Sequence, residues 1–244
     1  MVVVGIVLIV LVLQPAQLLV ETRRQRVRAA TMTSWARGML AVLGIRRSVT
    51  GQRPGRNVLF VSNHISWIDI LVLMATAPGI FLAKDDVARW PLIGWMCRRT
   101  DTMFLQRGNA RALAERMGSI RQALGKQENV FLFPEGTTTA GKEVRSFFPG
   151  IFQAAIDARV AVQPIALNYL EGARRSDAVP YVDDNHFVKH FLRLLGTKSL
   201  TARITFLPVI NTFNQDRRQL ASLSHSIISR LVADETVFCT RSAA

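Results

Sequence analysis

An apolar run that empties onto a histidine-bearing loop constrains this chain more than any other feature. Val58-Leu59-Phe60-Val61 is built of branched and aromatic residues and reads as a buried strand, and Asn63-His64-Ile65-Ser66-Trp67-Ile68-Asp69 follows at once. The mouth of such a strand is where α/β folds hold their chemistry. His64 is the only histidine in the first 185 residues, and an imidazole titrates near enough to neutrality to take up a proton on demand. Asp69 is the group that would steady it.

Five residues of continuous helix turn through about 500°, so His64 and Asp69 cannot share a face of one helix. The helix must begin between them. Ser66 fits its N-cap, and Ser66-x-x-Asp69 fits a capping box, which leaves His64 on the loop and Asp69 in the first turn, able to reach back. The same geometry admits a plainer role, in which Asp69 only caps the helix and His64 is an ordinary loop residue.

With 244 residues, 49% of them apolar, the chain is long enough for one domain with a sizeable core. Its formal net charge of +14 is unusual beside so much apolar content. Cys97 and Cys239 show neither metal-ligand spacing nor a disulfide framework, which argues against zinc or thiol chemistry and makes a reducing compartment the default.

Residues 1 to 20 carry no charged side chain, and as a helix they would span about 30 Å, the hydrocarbon thickness of a bilayer. Nine arginines and one acid, Glu21, occupy residues 21 to 56. The pattern predicts a membrane anchor, either spanning or lying in one leaflet because Pro15 interrupts it, with the arginines on the cytoplasmic side of the cell inner membrane. A second helix is expected over 33 to 43, capped by Thr33 or Ser34 and stopped by Gly44, and it either dips into lipid or packs on the core. Anionic headgroups suit the basic composition. Nucleic acid would too, but no binding motif or aromatic-interleaved basic stripe is present, so membrane lipids are the expected partner.

Further along, helix is expected from Ser66 to about Ala77, strand over Ile80–Lys84, a short apolar run from Met103 ending in the cation Arg107, and an amphipathic helix from Asn109 to Leu124. Arg107 offers a fork of donors matched to phosphate or carboxylate oxygens, although a lone arginine also serves as ordinary surface. Asn129-Val-Phe-Leu-Phe-Pro134-Glu135-Gly136-Thr137 repeats the first motif's logic, a strand emptying into a loop. Pro134 and Gly136 let that loop turn sharply and aim backbone N–H groups at an anion. Glu135 cannot bind phosphate, so it must hold Arg107, a loop amide or a substrate hydroxyl. Strands over Arg159–Leu167 and Leu200–Ile210, helices over Phe187–Leu195 and Arg217–Val232 (Leu220, Leu223, Ile227, Ile228 and Leu231 inward), and structural or surface roles for His186, His190 and His225 complete the reading.

Asn63-His64-x-Ser66-x-x-Asp69, Phe104-Leu105-x-Arg107, Phe133-Pro134-Glu135-Gly136-Thr137 and Val162-Gln163-Pro164-Ile165-Ala166 resemble, in order and spacing, the four blocks of the glycerolipid acyltransferases, the family of 1-acylglycerol-3-phosphate acyltransferases. Pro91-Leu92-Ile93-Gly94-Trp95 and the basic N-terminus are similar to that family too. The resemblance implies a single α/β acyltransferase domain, a central mixed sheet flanked by helices, over 45–244, behind an anchor and amphipathic helix over 1–44. It implies His64 as general base, Asp69 orienting it, Arg107 with Glu135, Gly136 and Thr137 binding the acceptor, and Asn63, Ser66, Pro134 and Pro164 in support. No metal or cofactor is implied; an acyl thioester of coenzyme A or acyl carrier protein is the co-substrate, and a fatty acyl group moves to the free hydroxyl of 1-acylglycerol-3-phosphate in phospholipid biosynthesis.

One position departs from the pattern. Many family members carry a basic residue where this chain has Thr138, so a phosphate ligand is missing or is replaced by Lys142 or Arg145. A lysolipid with fewer charges, such as a lyso-ornithine lipid, is the alternative acceptor, and a non-catalytic basic membrane-binding protein is the alternative of another class. Condensing acyltransferases that act on carrier-bound peptides carry a doubled histidine, which is absent here.

Overall fold

The computed structural model describes residues 2–16, 19–51, 53, 56–84, 102–105, 110–182, 186–197 and 199–233. Arg107 and the Pro91–Trp95 stretch lie outside the described residues. The strands are β1 (Arg46–Thr50), β2 (Val58–Ser62), β3 (Ile80–Lys84), β4 (Met103–Leu105), β5 (Val130–Leu132), β6 (Ala161–Glu171), β7 (Arg174–Arg175) and β8 (Leu200–Phe206). They form one sheet in the order β1-β8-β6-β2-β5-β3-β4, with β7 beside β6. β6, β2, β5, β3 and β4 run parallel, whereas β8 runs antiparallel to β6 and carries β1 parallel to itself. The expected mixed sheet is therefore present.

Alternation along each strand sorts side chains to two faces. Val58 and Phe60 of β2, Phe131 of β5, and Ile165, Leu167 and Tyr169 of β6 face the helices α2 (Glu21–Val42), α3 (Ile68–Thr76) and α6 (Phe187–Leu195). Leu59, Val61, Val130, Leu132, Val162 and Ala166 face α4 (Ala110–Gly125), α5 (Gln153–Ala158) and α7 (Arg217–Ala233). Burial on both faces explains why β2 reads as a continuous apolar run. On the first face, the ring of Phe131 stacks between Phe60 at 4.6 Å and Phe81 at 4.7 Å.

The chain leaves β2 through α3 for β3, on one side, and later leaves β5 for β6, on the other. β2 and β5 are neighbours, so their carboxyl ends open side by side at the reversal of strand order, the usual position of an α/β site.

Several element expectations need correction. The helix predicted from Thr33 or Ser34 is the second half of α2, which starts at Glu21; Thr33 bonds instead to the Met74 carbonyl at 3.1 Å. Ala36, Met39, Leu40 and Leu43 belong to the core, so this half packs on the domain. An ion pair between Arg28 and Glu128 at 2.5 Å adds a polar tie. Residues 2–16 are helical, α1 (Val2–Leu8) continuing through π winding over Ile9–Leu13, and Leu13 packs against Met32. No described helix is long and apolar enough to cross a membrane. Edge strand β1 was not foreseen, because its Arg46-Arg47-Ser48-Val49-Thr50 sequence lacks an apolar run. In α7, Leu223 is 44% exposed rather than inward.

Candidate active site

β2 ends at Ser62, yet its pairing with β6 continues through a side chain. Asn63 Nδ2 donates to the Leu167 carbonyl at 3.0 Å, and Leu167 N–H donates to Asn63 Oδ1 at 2.8 Å, so the buried amide imitates one more strand residue. This fixes where the next residue, His64, leaves the sheet.

Asp69 stands in the first turn of α3, fully buried, and each of its oxygens accepts bonds. Oδ2 accepts from His64 Nδ1 at 2.8 Å, Ile65 N at 2.6 Å and Ser66 N at 3.0 Å; Oδ1 accepts from the Tyr169 hydroxyl at 2.7 Å. The foreseen back-reach of the aspartate is present. The serine half of the capping box is not: Ser66 Oγ is buried without a hydrogen-bond partner among the described residues, and Trp67 occupies the N-cap. The backbone amides of Ile65 and Ser66 take the aspartate instead, which places a negative charge at the helix N-terminus.

With Nδ1–H donated to Asp69, His64 holds its lone pair on Nε2, which makes no hydrogen bond among the described residues. Its side chain is 19% exposed. The imidazole stacks on Phe133 with centroids 4.0 Å apart and planes at 15°, so one ring face is shielded by β5's extension. The main chain is held as firmly: His64 N–H donates to Glu135 Oε1 at 2.7 Å, and the His64 carbonyl accepts from Thr139 N at 2.8 Å.

Glu135 is 4% exposed, and its second oxygen accepts from Arg145 N at 2.7 Å. Of the roles open to it, the structure shows that of holding loop amides. Burial raises its pKa above the usual carboxylate value, and the two amide bonds oppose that shift. Gly136 turns the loop at φ +67°, and a Cβ there would come within 3.0 Å of the Phe148 ring. Buried Pro134 accepts from Phe148 N at 3.0 Å. Thr137 is half-buried beside it. Thr138, which stands where a cation is common, donates its hydroxyl to the Tyr181 carbonyl at 2.5 Å. Pro164 lies opposite Val61 and just outside the β6–β8 register, which begins at Ile165, so its missing N–H costs no bond on that side. Its carbonyl accepts from Leu207 N at 2.9 Å.

Sequence reading missed Tyr169. Alternation along β6 puts it on the face that carries α3, where it meets Asp69. Burial, then the adjacent Asp69, push its pKa well above the ordinary tyrosine value. A lone tyrosine inside an apolar strand was the available signal, since a buried phenol needs a partner. His190 is structural: buried, it accepts from Trp67 Nε1 at 3.1 Å and donates to the Val179 carbonyl at 3.1 Å. Among the described residues no cluster of His, Cys, Asp or Glu could hold a metal ion.

The arrangement is an imidazole with one nitrogen anchored to a buried carboxylate and the other without a partner among the described residues, which is the equipment of a general base. The family profile described as Acyltransferase matches residues 46–168, which contain His64, Asp69 and Glu135. The chain is 35% identical to a lyso-ornithine lipid O-acyltransferase of Pseudomonas aeruginosa over 77% of this chain and 72% of that protein. It is 32% identical to a 1-acyl-sn-glycerol-3-phosphate acyltransferase of Neisseria meningitidis over 82% and 79%, and 31% identical to a lyso-ornithine lipid O-acyltransferase of Rhizobium meliloti over 98% and 87%. The crystal structure of the 1-acyl-sn-glycerophosphate acyltransferase PlsC from Thermotoga maritima shares the fold, with a TM-score of 0.71 at 18% identity over 99% of this chain and 94% of that one. The chain therefore belongs to the acyltransferase family that includes the 1-acyl-sn-glycerol-3-phosphate and lyso-ornithine lipid O-acyltransferases, and it is an acyltransferase.

Proposed function

We propose that this enzyme moves a fatty acyl group from an acyl thioester to the free hydroxyl of a lysolipid, with His64 as general base. The observation that carries the reading is the His64–Asp69 pair, in which Nδ1 is tied and Nε2 is left open. Nε2 takes the hydroxyl proton as the oxygen attacks the thioester carbonyl. The tetrahedral intermediate collapses, the C–S bond breaks, and the leaving thiolate recovers the proton from the imidazolium. Asp69 holds the ring in register and offsets its transient charge. The Gly136–Thr137 turn, whose Gly136 amide is donated to the Phe133 carbonyl at 3.0 Å, follows Glu135, which holds the His64 amide, and is assigned to the acceptor. Arg107, from the resemblance, binds the acceptor's anionic group. Neither a metal nor a cofactor enters this chemistry, and the thioester is carried by coenzyme A or acyl carrier protein.

For the acceptor, Thr138 decides our preference. Its hydroxyl is committed to Tyr181, so no cation stands at that point of the loop. Fewer charges suit a lyso-ornithine lipid, and relatives bearing that name include one aligned over 98% of this chain. The second reading, 1-acylglycerol-3-phosphate, rests on Arg107 and on the Neisseria relative. A competition assay with both lysolipids at equal concentration and one labelled acyl thioester separates them: preference for the lyso-ornithine lipid is expected, and a tenfold preference for 1-acylglycerol-3-phosphate reverses the assignment.

Membrane attachment through the N-terminus is part of the proposal. Val4, Val7, Val10, Leu11, Leu19 and Val20 are exposed, and the arginines of α2 follow directly. The reading places the protein on the cytoplasmic face of the inner membrane, its anchor lying in one leaflet. No nucleic-acid partner is expected.

A further inference from the structure

Helix α6 buries one side and leaves an apolar stripe on the other. Successive helical residues rotate by about 100°, so Val188, Leu192 and Leu195 share an arc of about 60°. They are 67%, 61% and 44% exposed. The inward side carries Leu194 and His190, both buried, with Phe187 and Phe191 against Trp67 at 5.1 and 6.3 Å. Lys189 is exposed beside the stripe, and Arg193 is exposed one turn on, its guanidinium donating to the Ala178 and Pro180 carbonyls at 2.8 and 3.4 Å. Three outward apolar residues on a nine-residue helix are more than scattered surface hydrophobes, and nothing among the described residues requires them there.

We propose that the outer face of α6 is a second membrane-docking surface, which seats the catalytic loop on an anionic bilayer, where a lysolipid acceptor would reside. An apolar stripe edged by cationic residues is the pattern of interfacial helices, and the formal charge of +14 complements anionic headgroups. The coupling to the site is direct. Trp67 lies three residues from His64, packs at a tilt on the Phe187 and Phe191 rings of α6 and donates to His190, while Tyr181, whose ring meets His190 at 5.0 Å, donates its amide to the Ile65 carbonyl at 3.0 Å. A helix held by the bilayer through Val188, Leu192 and Leu195 thus positions the loop rather than a remote part of the domain. The inference concerning the acceptor rests on the acyl-transfer reading above; the docking itself does not.

The test is amide hydrogen exchange on the full chain with and without vesicles of phosphatidylglycerol and phosphatidylethanolamine. Amides of 188–195 should slow by about tenfold or more on vesicles, the factor expected for burying one or two aliphatic side chains. Leu192→Asp should lose that slowing while residues 2–16 keep theirs, and Val188→Asp should behave alike. No slowing in the wild type overturns the proposal. So does slowing that is present without vesicles and grows with protein concentration, which would show a second copy of the chain covering the stripe. In turnover, Leu192→Asp should lose about tenfold on bilayer-embedded lysolipid and keep the wild-type rate on a monomeric short-chain lysolipid; equal loss on both contradicts a docking role. Were acyl transfer undetectable in every form, the exchange measurement would still decide the docking, and only the functional reading would fall.

Discussion

Tyr169 donates its hydroxyl to Oδ1 of Asp69 at 2.7 Å, on the far side of the carboxylate from the oxygen that receives His64 Nδ1. The tyrosine comes from the central strand β6, so the orientation of the imidazole is referred to the sheet rather than to the loop alone. Tyr169→Phe removes the donor and leaves one buried lone pair unpaired, at a cost of about 1–3 kcal/mol. We expect kcat to fall by about tenfold with little change in either KM, measured by thioester-dependent acyl transfer. A rise in acceptor KM at constant kcat would assign Tyr169 to binding instead.

Glu135 makes a different prediction from the one its motif suggests. Its two oxygens satisfy the amides of His64 and Arg145, and Glu135→Ala strands both donors, so thermal stability should fall together with kcat. The size is about 1–3 kcal/mol for each stranded group. An unchanged melting temperature with a raised acceptor KM would show that the carboxylate serves the substrate.

Burial, and then Arg193, hold the His190 pKa below its ordinary value of 6.5. The neutral ring accepts from Trp67, and protonation would set two donors against each other. A depressed folded-state pKa contributes stability that is present above the unfolded value and lost as pH falls through the folded one. The melting temperature should therefore drop below about pH 6.5, and His190→Asn should flatten that drop. Parallel curves for wild type and variant between pH 7.5 and 5 would exclude His190 as its source.

The sequence made the site legible to different depths. His64 and Glu135 lie on loops that follow strands with strong apolar runs, and Asp69 opens the helix after the first of these loops, so their placement followed from pattern. The mixed sheet and α6 were also readable. The cap was misread because local pattern assigns the Ser66 hydroxyl a bond from the Asp69 amide, which the fold gives to the Ser66 carbonyl at 3.0 Å. β1 escaped because an edge strand can be polar, and Tyr169 because its partner lies 100 residues away in sequence. Propensity carries no information about such a pairing; only the sheet order supplies it.

Arg107→Ala should raise the acceptor KM by roughly ten- to a hundredfold, the worth of a charge-assisted bond of about 1.5–3 kcal/mol to a phosphate or carboxylate. Donor KM should move by less than about twofold. Steady-state kinetics with each substrate varied in turn checks both, and an effect confined to the donor would place Arg107 at the thioester.

The most direct test of the account is acyl transfer by His64→Ala, with folding verified by matched circular dichroism. General-base catalysis contributes about 10²–10⁴-fold, so turnover should fall by at least about a hundredfold while the protein stays folded and bound to vesicles. A His64→Ala enzyme with near-normal turnover would contradict the mechanism, whatever the acceptor proves to be.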